Sequence, residues 1–426
     1  MDPIPKRRRY TEKAPVNGKT TDDDGTNTNG IDIISNLPIE VLCHILSFLP
    51  TKYAVGTSIL STKWKNLLPL IPNLSLWIQD NLLLHPESAS TTDLISFMKF
   101  ADTLLNVTLR DVTSIRSFTL ICKKFDDGRL IASWISAALR LNIKRMDIRI
   151  QRPKNTSFLL DSLFGCHIVS LNLFLHFSQD VTQFRFSFPN LKMLCVQYMR
   201  FHPVNVLLAC CPVLEYLILQ NCYCYDPGER LRICIPSLKA LKLWTCIPSP
   251  KASKMVRRLY WVNCVIELDT PELVYLNHCG YLPIRYLAGK MKSLWLARLD
   301  LYENVGRHLF DSDEQAAVIL KVCADAEQLW LSETFISMLY RHPHHLPRFQ
   351  KLVDLAIKNM NSHGWEVLPS LLASAPNLKN LYLKGGFDNQ CYEIFKGFVK
   401  ESMSICLSKY TDKCFHLAIE RKGENY

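Results

Sequence analysis

The sequence predicts an α/β fold in which a small N-terminal helical unit is followed by a solenoid whose turns each contribute one strand. Three observations carry that expectation. The 426-residue chain is 48% hydrophobic, enough for a large packed core or an extended repeat array. A short apolar pattern recurs between residues 115 and 385. Ahead of it, "LPIEVLCHILSFLPTKYAVGTSILSTKWKNLL", residues 37–68, places apolar residues on more than one face of a helical stretch. A piece of roughly 40 residues cannot bury enough surface to be secure alone, so something else must cover it.

Residues 1–30 combine six basic and five acidic residues with Gly, Asn and Thr, and read as a disordered polar tail. Its "KRRR", Lys6 to Arg9, is either a nuclear-import signal or a solvated charge run. No apolar run reaches the ~18 residues of a membrane span, and "MDPIPKRRRY" lacks the apolar centre of a secretory signal, so the expected compartment is nucleus or cytoplasm. The sixteen cysteines are then expected to be reduced and mostly to pack as small hydrophobes. The net charge of +11 is scattered, which argues for acidic partners only in general and against nucleic acid.

In the helical stretch, Leu37-Pro38 starts a helix, because Pro is tolerated in the first turn. Ile39, Leu42, Ile45, Leu46 and Leu49 form one stripe, with Val41 and Phe48 beside it. Pro50 stops this helix, Thr51 is placed to cap a second through Val55 and Ile59, and Ser61 a third bearing Trp64, Leu67 and Leu68 before Pro69. "IPNLSL" then carries an apolar triplet at Ile71, Leu74 and Leu76 and joins the array.

The repeat places three apolar residues at positions one, four and six. Its clearest copies are "FPNLKMLCV", "CPVLEYLIL", "IPSLKALKL" and "APNLKNLYL", and weaker ones start at Ile115, Ile143, Ile168, Leu273, Met291, Ala326 and Leu352. Triplets starting at 143, 168, 191, 214 and 238 are 25, 23, 23 and 24 residues apart; the following intervals of 35, 18, 35, 26 and 26 are irregular. One unit cannot hide its apolar residues, whereas stacked copies place Leu over Leu. Strand alternation puts Leu238, Leu241 and Leu243 inward and Ala240, Lys242 and Trp244 outward, with helices such as "VNVLLACC" and "WEVLPSLLASA" returning the chain. The copy at Leu273 departs from the pattern, with His278 at its third apolar place.

Residues 115–385 resemble the irregular plant type of leucine-rich repeat, and residues 31–77 resemble the F-box motif in the Leu37-Pro38 start, "EVLCHILSFLP", the block around Trp64 and "IPNLSL". Where F-boxes often carry an acidic residue, this chain has Ile39, and Lys63 and Lys65 flank the Trp. Together the two parts resemble plant F-box/LRR proteins. The resemblance implies a three-helix F-box, a linker and start of the array at 78–114, and a curved solenoid with its parallel sheet on the concave face. "FQKLVDLAIKNMNSHGWEVLPSLLASAPNLKNLYLKGG" is similar to the beginning of an FBD region, while residues 386–426 read as a degenerate FBD or a cap.

The resemblance also implies that the F-box docks on a Skp-type adaptor and through it on a cullin-RING ligase, making the chain a non-catalytic substrate-recognition subunit. Leu37, Pro38, Val41, Leu42, Ile45, Leu46 and Trp64 are the implied adaptor-binding residues or their immediate support. The same residues could alternatively only cap the repeat array. For the substrate, outward positions give an aromatic and partly basic strip of Tyr216, Lys242, Trp244, Trp295, Trp330 and Tyr382, which either anchors a protein substrate or packs on its neighbours. A repeat scaffold outside any ligase and a ligand-dependent sensor remain the alternatives.

No P-loop, strand-to-helix G-x-G-x-x-G, G-x-S-x-G or H-E-x-x-H is present, so no catalytic residue or cofactor is expected. Cys222 and Cys224 lack the second pair of a structural zinc site, and His342, His344 and His345 stand far off in sequence, so no metal is expected. Cys210 and Cys211 precede Pro212 with no base nearby and are read as packing residues.

Overall fold

A computed structural model describes residues 34, 36–64, 67–80, 91–151, 163, 166–175, 187–224, 228–245, 264–289, 291–303, 309–340, 346–358, 362–384 and 416–419. The polar tail with "KRRR", the three histidines of "RHPHHLP" and all of 386–426 except 416–419 lie outside the described residues.

The N-terminal unit begins with helix α1 (Ile39–Ser47), entered from Pro38, and α2 (Thr51–Gly56), entered from Pro50. A short 3-10 turn, Thr57–Ile59, extends α2. Where a helix is expected after Ser61, the described residues show a turn closed by the Trp64 N–H on the Ser61 carbonyl at 3.1 Å and a 3-10 turn, Leu68–Leu70. Pro69 lies in the first positions of that second turn, where its missing N–H costs nothing. Thr51 does not cap α2. Its hydroxyl accepts instead from the Trp77 N–H at 2.8 Å, tying the helical unit to the first strand.

Thirteen parallel strands form one sheet in the order β1 to β6, β8, β10 and β12 to β16. They are β1 (Ser75–Gln79), β2 (Ser117–Cys122), β3 (Arg145–Ile150), β4 (Ser170–Leu175), β5 (Met193–Gln197), β6 (Tyr216–Gln220), β8 (Ala240–Trp244), β10 (Tyr275–Tyr281), β12 (Leu296–Tyr302), β13 (Gln328–Ser332), β14 (Asp354–Lys358), β15 (Asn380–Lys384) and β16 (His416–Ile419). Parallel neighbours require a crossover each time, and among the described residues helices supply six of the twelve: α3 (Thr91–Thr103), α4 (Gly128–Leu139), α5 (Phe201–Ala209), α6 (Leu309–Val322), α7 (Glu333–Tyr340) and α8 (Ser362–Ser374). Three consecutive turns, however, contain β7 (Arg230–Cys234), β9 (Val265–Asp269) and β11 (Arg285–Ala288), which form a second parallel sheet. Alternating Leu231, Ile233, Ile266 and Leu268 bury one side of that sheet, doing for these turns what a helix does elsewhere. Among the described residues no helix is long and apolar enough to cross a membrane.

The triplets build the core as their spacing predicts. Leu238, Leu241 and Leu243 are buried and register with Leu273, Leu276 and His278, while Lys242 and Trp244 are exposed on the opposite face. Two triplets sit differently. Leu76 pairs with Phe118 and Ile78 with Leu120, so the first strand places Leu76 and Ile78, not Leu74 and Leu76, at the fourth and sixth positions. Leu276 pairs with Ala297 and His278 with Leu299, so the copy assigned to Met291 is Leu294, Ala297 and Leu299, three residues later. "MKSLWLARLDLY" carries leucines at 294 and 296 and again at 299 and 301, so its alternation changes phase in between and offers two registers; stacking on the neighbouring strands decides between them. With this correction the starts at 273, 294, 326, 352 and 378 stand 21, 32, 26 and 26 residues apart.

Candidate functional site

Helix α1 separates the implied adaptor residues into two groups. Leu42, Leu46 and Trp64 are buried and hold the helical unit together; Pro38, Val41 and Ile45 are exposed, and Leu37 is half-buried against the core. A helix with 3.6 residues per turn produces this split, because Val41 and Ile45 are four apart on one face while Leu42 and Leu46 are four apart on the next. Lys63 Nζ donates to the Leu37 carbonyl at 2.8 Å and so fixes the start of α1 beside the Trp64 turn. Sequence reasoning missed the extent of the exposed face: Ile34, Ile39, Phe48, Leu49, Tyr53, Ile59 and Leu60 are exposed as well, Ile59 at 87%. The signal was present in the surplus of apolar residues, but a linear sequence does not say which stripe meets the core.

A sequence model of the F-box domain matches residues 34–73, the segment that presents this face. A second, for the LRR repeats of FBD-associated F-box protein At5g56370, matches residues 131–269. Among relatives from Arabidopsis thaliana, F-box/LRR-repeat protein At2g42730 is 30% identical over 89% of this chain and 83% of its own length. The chain belongs to the F-box/LRR-repeat family. F-box/LRR-repeat proteins At4g14103 and At3g59210 of the same plant are 31% and 30% identical, over 83% and 92% of this chain and 92% and 81% of theirs. Proteins of this family are in general non-catalytic adaptors.

The open face of the F-box/LRR sheet, away from the buried triplets, presents outward residues in rows. Register places Cys195, Ile218, Lys242, Asn277, Arg298, Trp330, Ala356 and Tyr382 in one row across β5 to β15. Trp244, Cys279, Asp300, Ser332 and Lys358 stand two residues further along each strand, and Tyr216 stands in the row before. Of the implied substrate residues, Lys242, Trp244 and Trp330 line a common hollow of about 690 Å³, and Tyr216 and Tyr382 lie outside its lining. Trp295 is displaced from the strip. It precedes β12, where its carbonyl receives the Glu327 and Gln328 N–H groups, and the three-residue register shift puts Arg298 in the place assigned to it.

Charge on this face is distributed unevenly. On β3, Arg149 pairs with Asp147 at 2.7 Å, and Asp147 also receives Asn172 at 3.0 Å. At the ends of the strands Glu215 is held below the usual carboxylate range by Lys192 and Lys239, at 2.9 and 3.3 Å. In the hollow, Arg298 lies over the Trp330 ring at 4.2 Å and Lys242 Nζ is 5.8 Å from the centre of Tyr275.

Buried cysteines belong to the core rather than to this face. Burial pushes the Cys211, Cys222 and Cys323 thiols up to about 12, and the Cys222 thiol donates to the Val196 carbonyl at 3.6 Å. Such thiols do not ionise near neutral pH and are poor nucleophiles.

Proposed function

We propose that this chain is the substrate-recognition subunit of a Skp-cullin-F-box ubiquitin ligase. Its F-box docks on a Skp-type adaptor, and the open face of its repeats recruits a protein substrate. One observation supports this most: within the F-box match, Pro38, Val41 and Ile45 are exposed on one side of α1 while Leu42 and Leu46 anchor the other. Exposed apolar anchors on a well-packed support are what a protein interface uses for most of its affinity. Work of this kind needs no catalytic group, because holding a substrate beside ubiquitin carried elsewhere raises its effective concentration.

Attachment of the helical unit to the sheet through Thr51 and Trp77 is compatible with docking, since it uses neither Pro38 nor the exposed Val41 and Ile45 of α1. The test is capture of a purified Skp-type adaptor by the full chain and by the Leu37→Ala, Pro38→Ala double variant. The expected result is capture by the native chain and strong loss in the variant; undiminished capture by the variant would place the docking face elsewhere.

A further inference from the structure

We propose that the hollow on the open face is the docking point for an extended acidic segment of the recruited protein, with carboxylates at every third residue. This rests on the substrate-receptor reading above and assigns the chemistry of its substrate side.

Three cations face the hollow on alternate strands of the main sheet: Lys242 on β8, Arg298 on β12 and Lys358 on β14, with β10 and β13 between them. Among the described residues none of the three has an ion pair, in contrast to Arg149, Lys192 and Lys239. Arg298 Cζ lies 4.2 Å from the centre of the Trp330 ring and its Nε is buried without a hydrogen-bond partner, so the ring positions a guanidinium whose charge no protein acceptor satisfies at that nitrogen. Asp300 is the acidic residue of the lining, and the Tyr302 hydroxyl donates to it. The balance of the hollow is therefore positive. Trp244 and Trp330 add aromatic wall area beside the cations.

Spacing selects the occupant. Adjacent strands are ~4.8 Å apart, so alternate strands put successive cations about 10 Å apart across the sheet. A compact anion would reach one of them. A polyproline-II segment rises ~3.1 Å per residue with three residues per turn, which returns side chains to the same face about every 9 Å. Lys358 stands one row further along its strand than the other two, an offset within the reach of its long stem.

The test is binding of the full chain to an array of fluorescent nine-residue peptides on a Pro, Ser and Gly background. Each carries one Trp and two Glu residues separated by one to six positions, and each has a counterpart with Gln for Glu. We expect maxima at separations of three and six, at least tenfold weaker binding of the Gln counterparts, and weakening with added salt. Arg298→Gln should reduce binding at least tenfold; the Lys242→Gln, Lys358→Gln double variant changes only exposed side chains and should do the same should Arg298→Gln fail to fold. Equal binding of Glu and Gln peptides, no dependence on separation, or native binding by the folded variants would overturn the proposal. Adaptor capture is measured on the same samples. Lost peptide preference with adaptor capture intact overturns the hollow alone, and absent adaptor capture with peptide preference intact overturns the ligase reading alone.

Discussion

The Tyr286 hydroxyl lies 2.9 Å from Nδ1 of His278, and this bond joins the second sheet to the main one. His278 occupies the place where other repeats carry an apolar residue and is 1% exposed. Tyr286 reaches it from β11, in the turn that uses a strand in place of a helix. The departure of the Leu273 copy from the repeat is thus matched by a departure in its crossover, and each compensates the other: a buried imidazole needs a polar partner.

Burial lowers the His278 pKa from 6.5 to about 3. In the unfolded chain His278 takes up a proton below its ordinary value, whereas in the fold it stays neutral until far lower pH. The unfolded state therefore binds more protons in that window, and stability is full above the ordinary value and is lost as pH falls toward the folded one. At its steepest this slope is about 1.4 kcal/mol per pH unit. Thermal unfolding measured between pH 7 and pH 5 should show the fall, and the His278→Leu, Tyr286→Phe double variant should flatten it.

The exposed and buried sides of α1 should respond differently to substitution. Val41→Glu together with Ile45→Glu should abolish adaptor capture and leave the unfolding temperature within a few degrees of native, because both side chains face solvent in the free chain. Leu42→Ala, at a fully buried site, should instead cost about 2–5 kcal/mol of stability. Adaptor pull-down and thermal melts on the same preparations separate the two. Unfolding by the double Glu variant would mean that the exposed side also supports the fold.

Gly280 has a backbone φ of +138°, and a side chain added there would overlap the Thr245 hydroxyl. Gly280→Ala should therefore destabilise by about 2–4 kcal/mol. Thr245→Ala in the same chain should recover part of that loss by removing the overlap and leave the backbone strain, a partition that urea unfolding of the three variants can measure.

Trp330 and Trp295 should differ in their effect on recruitment. Trp330→Ala removes the ring under Arg298 and should weaken recruitment of an acidic substrate roughly tenfold or more. Trp295→Ala should leave it unchanged, since Trp295 precedes β12 and is not part of the hollow's lining.

By itself the sequence determined the repeat, the strands it builds, the inward leucines and the F-box block, because all of these rest on local spacing: a period of two decides which face a residue takes, and stacking needs only the same spacing in each copy. It also marked His278 as out of place. Only tertiary structure decided the rest. "MKSLWLARLDLY" offers two registers of nearly equal apolar content, and the hydrogen bonds of β10 and β13 select the one that puts Arg298, not Trp295, on the open face. Val41 and Leu42 are both apolar in sequence, and their opposite exposure follows from what the rest of the helical unit and the sheet leave uncovered. Which charges neutralise one another depends on strands about 25 residues apart lying side by side, as Lys192 and Glu215 do. Spacing along the chain specified the elements; contacts between distant elements specified which surfaces remain free to bind.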